Sequence, residues 1–118
     1  MSNLLQNTDI KGFNDLRKQF HEKIEFDGID LSDKNLKDAN LKSIVLRNVN
    51  LSKTNLENAI LDDSEISDDL SNVILRDASL LNAVLARADL TFADLTPASL
   101  RAANLCNGVI IGSFSSLS

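Results

Sequence analysis

The chain has 118 residues, 12 of them basic and 17 acidic, for a net charge of −5; hydrophobic residues make up 43% and charged residues 25%. That balance fits one compact unit and excludes a disordered tail, while a pI near 4.7 argues against general affinity for nucleic acid or an anionic membrane. One cysteine rules out an internal disulfide and a multi-thiolate metal site, and with five Phe but no Trp or Tyr the core falls to leucine and alanine.

In chain order, residues 1–23 come first. Ile10, Phe13, Leu16, Phe20 and Ile24 are spaced by 3, 3, 4 and 4, an amphipathic helix pattern. Thr8 or Asp9 is placed to cap its N-terminus, and Gly12 weakens it. Two of the five Phe (Phe13, Phe20) fall here and Phe26 follows just beyond, and bulky rings suit the closed end of a column. We read this segment as an N-terminal helical cap. The start of the chain lacks the charged-then-apolar layout of a signal peptide, and no apolar run approaches the roughly 18 residues of a membrane span. A soluble, cytoplasmic protein is expected.

From residue 24 to 112 the rhythm changes to five. Phe26, Leu31, Leu36, Leu41, Leu46, Leu51, Leu56, Leu61 and Ile66 are five apart; after a slip of one residue, Leu70, Leu75, Leu80, Leu85, Leu90, Leu95, Leu100, Leu105 and Ile110 continue. Two residues before each of these the side chain is mostly small or apolar, as in Ala39, Ala59, Ala83, Ala88, Ala93 and Ala98, and the residue between is often Asn, Asp or Ser. A helix repeats its apolar face every 3.6 residues and a strand every 2, so a period of five fits neither. A small residue and a leucine two apart share one side of a very short extended piece, and the remaining residues turn a corner. Stacked corners make a solenoid, a parallel β-helix filled by its leucine column.

Within this run, residues 66–70 hold the slip. Asp62, Asp63, Glu65, Asp68 and Asp69 crowd the same neighbourhood, and two inward positions there, Ser64 and Asp68, are polar. A distorted corner is expected, with Asp68 pushed outward or satisfied by local N–H groups. As a cation site the acidic run lacks a Gly for a sharp turn and an EF-hand spacing, so a solvated acidic corner is favoured over a metal site there. Charge is also uneven. Leu31 to Lys53 carries five basic residues against Asp33 and Asp38, a net of +3, and Glu57 to Asp94 carries nine acids against Arg76 and Arg87, a net of −7. This suits steering toward a basic partner, with plain solubility as the simpler use. Val45, Ile60, Ile74, Leu81, Val84 and Phe92 are apolar at outward positions, with Val45 and Val84 on one face two coils apart.

The end of the chain, residues 113–118, reads as a Ser-rich tail after the apolar stretch that ends at Ile110 and Ile111. Together with Phe114 these offer an end-to-end homodimer surface; alternatively Phe114 and Leu117 fold back as a lid. Catalysis is not expected. The one histidine, His21, and the one cysteine, Cys106, sit at opposite ends of the column, and no phosphate-loop, dinucleotide or nucleophile-elbow motif occurs. No catalytic, cofactor-binding or metal residue is assigned, and no cofactor.

The segments Ala88-Asp89-Leu90-Thr91-Phe92-Ala93-Asp94-Leu95, Ala39-Asn40-Leu41 and Ala103-Asn104-Leu105 resemble the pentapeptide-repeat family, whose motif is A(D/N)LXX. The resemblance runs from Ile24 to Gly112. It implies an all-β solenoid: a right-handed quadrilateral parallel β-helix with four pentapeptides per coil and about four and a half coils, roughly 20 Å tall at ~4.8 Å per layer. Many members have no defined activity, which implies a protein-interaction or scaffold module, with an unknown protein partner reached through Asp62–Asp69. The family also contains mimics of B-form DNA that bind DNA gyrase, and this is the alternative. The present chain departs from those members: it is short, lacks their C-terminal dimerisation helix, and is net positive in its first coils.

Overall fold

The computed structural model describes residues 1–20 and 22–108, together with a short strand at Phe114–Ser115. Two helices open the chain, α1 (Ser2–Gln6) and α2 (Ile10–Gln19), where the sequence pattern gives one. Asp9 caps α2, its Oδ1 accepting from Gly12 N at 2.9 Å. Gly12 has a steric cause here, since a Cβ would lie 2.6 Å from the Asp9 carboxylate. A glycine that looks like a weak point of the helix is thus what lets its cap close.

The strands are β1 (Ile24–Asp27), β2 (Ile44–Arg47), β3 (Glu65–Ile66), β4 (Asp94–Leu95) and β5 (Phe114–Ser115). All pair in parallel: β2 lies between β1 and β3, and β4 pairs with β5. Between the strands the ladders shrink to isolated parallel bridges, which stack into four columns. Glu25, Val45, Glu65, Val84 and Asn104 form the first; Asp30 pairs with Asn50 and Asp69 with Asp89 in the second. Asn35, Asn55, Ile74 and Asp94 form the third, and Asn40, Ile60, Ser79 and Ser99 the fourth. Partners such as Asn40 and Ile60 are one coil apart in the chain, which is why the five-residue rhythm brings like positions into register.

Most leucines of the five-residue series start a corner. The N–H three residues on returns to the leucine carbonyl, as from Ala59 to Leu56 and from Ala93 to Leu90, both at 3.0 Å. The residue two after the leucine takes a left-handed backbone, for example Asp38, Asn58, Asn72 and Asn82. One positive φ at the third position of a four-residue turn is the type II pattern. Asn and Asp tolerate that region best, which accounts for their frequency at these corners. Arg87 and Phe92 also adopt it, whereas Pro97, with φ fixed negative, does not.

The leucines and the small residues two before them fill the interior. Leu31, Leu36, Leu51, Leu56, Leu85, Leu90, Ala39, Ala83 and Ala98 are fully buried in one cluster. Leu5 of α1 and Phe13 of α2 belong to the same cluster, so the helices pack directly on the leucine column. Phe20 does not join them: it is 51% exposed, and this corrects the expectation that it plugs the column. The chain leaves α2 after Gln19 for an extended Phe20, so its ring no longer shares the buried face of Phe13. Val45 is corrected in the other direction, being 2% exposed as the middle strand residue between Glu25 and Glu65. Ile60 and Phe92 are exposed as expected, and no helix is long and apolar enough to cross a membrane among the described residues.

Candidate functional site

The slip is confined to one corner. From the first column to the second the chain takes five residues in three coils (Glu25 to Asp30, Val45 to Asn50, Val84 to Asp89) but four from Glu65 to Asp69. The shortened corner is therefore Ile66-Ser67-Asp68. It leaves a cleft of about 270 Å³ lined by Val45, Leu46, Arg47, Asn48, Glu65, Ser67 and Asp68.

Asp68 repairs this gap. Its Oδ2 accepts from Val49 N at 3.2 Å, taking the N–H that in other corners closes onto a leucine carbonyl. The expectation of a local partner is corrected, because the bond reaches 19 residues back to the coil below. Ser64, inward and fully buried, has no partner for its Oγ. Thr54, equally buried, donates to the Leu31 carbonyl at 2.8 Å.

The other acids of the segment divide by what they hold. Asp62 Oδ1 accepts from Ser79 Oγ at 2.6 Å and from Leu81 N at 3.0 Å. Asp69 Oδ1 accepts from Ser71 N at 2.9 Å and Ser71 Oγ at 2.6 Å. Glu65 lies 3.3 Å from Lys23 Nζ. Asp63 stands exposed on a left-handed corner. Among the described residues no three His, Cys, Asp or Glu side chains gather as a cation cage.

The Asx residue before the leucine was visible in the sequence without its purpose. In the structure its side-chain oxygen accepts the N–H two residues on: Asp30 from Ser32, Asn50 from Ser52, Asn55 from Glu57 and Asp89 from Thr91, each at 2.9 Å. Asp30 and Asp89 are held below the usual carboxylate range, chiefly by the hydroxyls of Ser32 and Thr91 and next by the N–H groups of the same residues. The signal that could have found this was the pairing of Asp or Asn with Ser or Thr two residues later.

Two residues of α2 also went unsuspected. Asn14 inserts its carboxamide into the backbone of the first coil, donating to Asp38 O at 2.9 Å and accepting from Asn40 N at 2.8 Å. Arg17 is 6% exposed and reaches the carbonyls of Lys42 and Glu22. Cys106 is exposed. His21, and the C-terminal residues Ile110, Ile111 and Leu117 with the Phe114 side chain, lie outside the described residues.

A family model for pentapeptide repeats matches the chain in eight copies over residues 24–64 and 69–101, leaving out the short corner. The chain belongs to the pentapeptide-repeat family, whose solved members form right-handed β-helices. Its fold is similar to that of HetL from the cyanobacterium Nostoc sp. strain PCC 7120, a pentapeptide-repeat protein involved in heterocyst differentiation regulation. The two are 31% identical with a TM-score of 0.74, over 83% of this chain and 44% of HetL. The chain thus spans under half the length of that relative. It is also similar in fold to QnrB1, a plasmid-mediated fluoroquinolone resistance protein: 23% identity and a TM-score of 0.57, over 80% of this chain and 53% of that one. A search of curated proteins returns no match.

Proposed function

We propose that this is a non-enzymatic interaction module of the cytoplasm that presents the outer faces and corners of its solenoid to a protein partner. The observation that carries the reading is the interior. Leucine and alanine side chains pack against one another from Leu31 to Ala98, so the groups left to meet another molecule are those of the faces and corners. HetL, whose known involvement is regulatory, favours the same kind of role. In this reading the coils belong to a right-handed quadrilateral column of about four and a half turns, with α1 and α2 as its N-terminal cap. The C-terminal coil is a second contact, for self-association.

The partner is met through the acidic segment around the short corner. Asp62, Asp68 and Asp69 are committed to backbone N–H groups, which leaves Asp63, exposed on its corner, and Glu65, held only by the exposed Lys23, as the acids that face outward. The test is quantitative capture from a native cell extract by the wild type and by an Asp63→Asn/Glu65→Gln variant, whose left-handed corner Asn tolerates. A partner retained by the wild type and lost by the variant is the expected result. Identical captured sets would contradict a role for the acidic corner.

The gyrase-binding alternative has one supporting observation: Asp30, Asp69 and Asp89 stand in a single column down one face. The molecule measures 35 × 24 × 21 Å, so one copy replaces about one turn of B-DNA, ~34 Å. Inhibition of gyrase supercoiling by the purified protein would favour this alternative over the first reading.

A further inference from the structure

Arg17 carries a positive charge into the protein without a matching negative one. Its side chain is nine-tenths buried, no carboxylate pairs with it among the described residues, and its Nε is buried with no hydrogen-bond partner. Desolvation pushes the guanidinium down from its ordinary value, yet an arginine stays charged at any physiological pH. Its Nη atoms donate to the carbonyls of Glu22 and Lys42, which solvate the guanidinium without neutralising it, so a buried charge with no counter-ion favours an anion nearby.

The same side chain lines a cleft of about 120 Å³ with Phe20, Asn40, Lys42 and Ser43. That is roughly four water-sized volumes at ~30 Å³ each, the size class of a small tetrahedral oxyanion. The lining is rich in donors and contains no acid. Lys42 is exposed and makes no ion pair among the described residues. Asn40 uses its Oδ1 to accept from Lys42 N at 3.2 Å, which leaves its NH₂ group to donate. Ser43 adds a hydroxyl, and the half-exposed Phe20 ring forms an apolar wall.

We propose that the cleft between the end of α2 and the fourth-column corner, lined by Arg17, Asn40, Lys42 and Ser43, binds a phosphate-class oxyanion. One buried and one exposed cation match a doubly charged anion, and guanidinium and ammonium groups both bind phosphate. The bound anion would tie α2 to the first coil through the charge that Arg17 lacks.

The test uses inorganic phosphate as the probe, with sodium chloride holding ionic strength constant. Calorimetric titration and the amide NMR shifts of Asn40, Lys42 and Ser43 are the readouts. Saturable binding is expected, with shifts confined to those amides and acetate binding more weakly. Because Lys42 is exposed, Lys42→Ala leaves the fold intact, and it should weaken phosphate about tenfold, the size of one charged hydrogen bond. Arg17→Gln should abolish binding; if that variant does not fold, Lys42→Ala decides alone. A response no greater than that to chloride, shifts elsewhere on the column, equal affinity for acetate, or unchanged affinity in Lys42→Ala would each overturn the proposal.

Discussion

An Asn or Asp placed just before a leucine serves the turn that follows it. Its oxygen takes the N–H two residues on, as Asp94 does from Thr96 at 3.1 Å, so a corner too tight for ladder pairing keeps its donor satisfied. Where the residue is Ser79, whose shorter side chain makes no such bond, Asp62 of the coil below supplies the acceptor for Leu81 N. Replacing Asp62 by Ala leaves that part-buried N–H without a partner and should destabilise the protein by about 1–3 kcal/mol. Asp62→Asn keeps an acceptor and should cost less. Urea unfolding of the two variants checks the ordering, and equal stabilities would mean that the carboxylate holds nothing. The alternation of small residue, Asx and leucine is legible in the sequence because it repeats. The exchange between Asp62 and Leu81, like that between Asp68 and Val49, joins residues 19 apart, and no local pattern marks it.

At the scale of the element, α2 shows how a helix is joined to a solenoid. A coil with no coil beneath it exposes backbone groups along its lower edge, and Asn14 answers two of them with one carboxamide, as a peptide unit of a preceding coil would. Asn14→Ala removes both bonds and should lower stability by roughly 1–3 kcal/mol. Asn14→Asp keeps the acceptor for Asn40 N and should fall between. Hydrogen exchange of the Asn40 amide reports the effect directly, and protection unchanged in Asn14→Ala would contradict this role. The helix itself was legible from the spacing of Ile10, Phe13 and Leu16, and its cap was narrowed to Thr8 or Asp9, of which Asp9 takes the role. The burial of Arg17 and the exposure of Phe20 were not, because hydrophobic spacing assigns a face by residue type. Here Arg17 reaches backbone carbonyls, while Phe20 lies beyond the last helical residue.

For the whole molecule, the five-residue period specified the architecture because a solenoid repeats one local solution, and each leucine is an independent reading of it. The missing residue was visible as a break in that count. Its location at the corner between the first two columns became plain only from which residues pair across coils. The outward-facing function is less legible for the same reason: faces and corners are free to vary once the inward leucine is kept. Val45 shows the limit of a face assignment from register alone, since an outward position became buried within the three-stranded sheet β1–β2–β3.

The most direct test of this account is disulfide trapping down the third column, where Asn55 pairs with Asn35 below it and with Ile74, 19 residues on, above it. Neighbouring parallel strands lie ~4.8 Å apart, within the Cα separation that a disulfide tolerates. In a Cys106→Ser background, Asn55→Cys/Ile74→Cys should oxidise to an intramolecular bridge and keep a cooperative unfolding transition. Failure of that pair to close, with efficient closure of Asn55→Cys/Leu75→Cys instead, would contradict a coil shortened at the Ile66-Ser67-Asp68 corner.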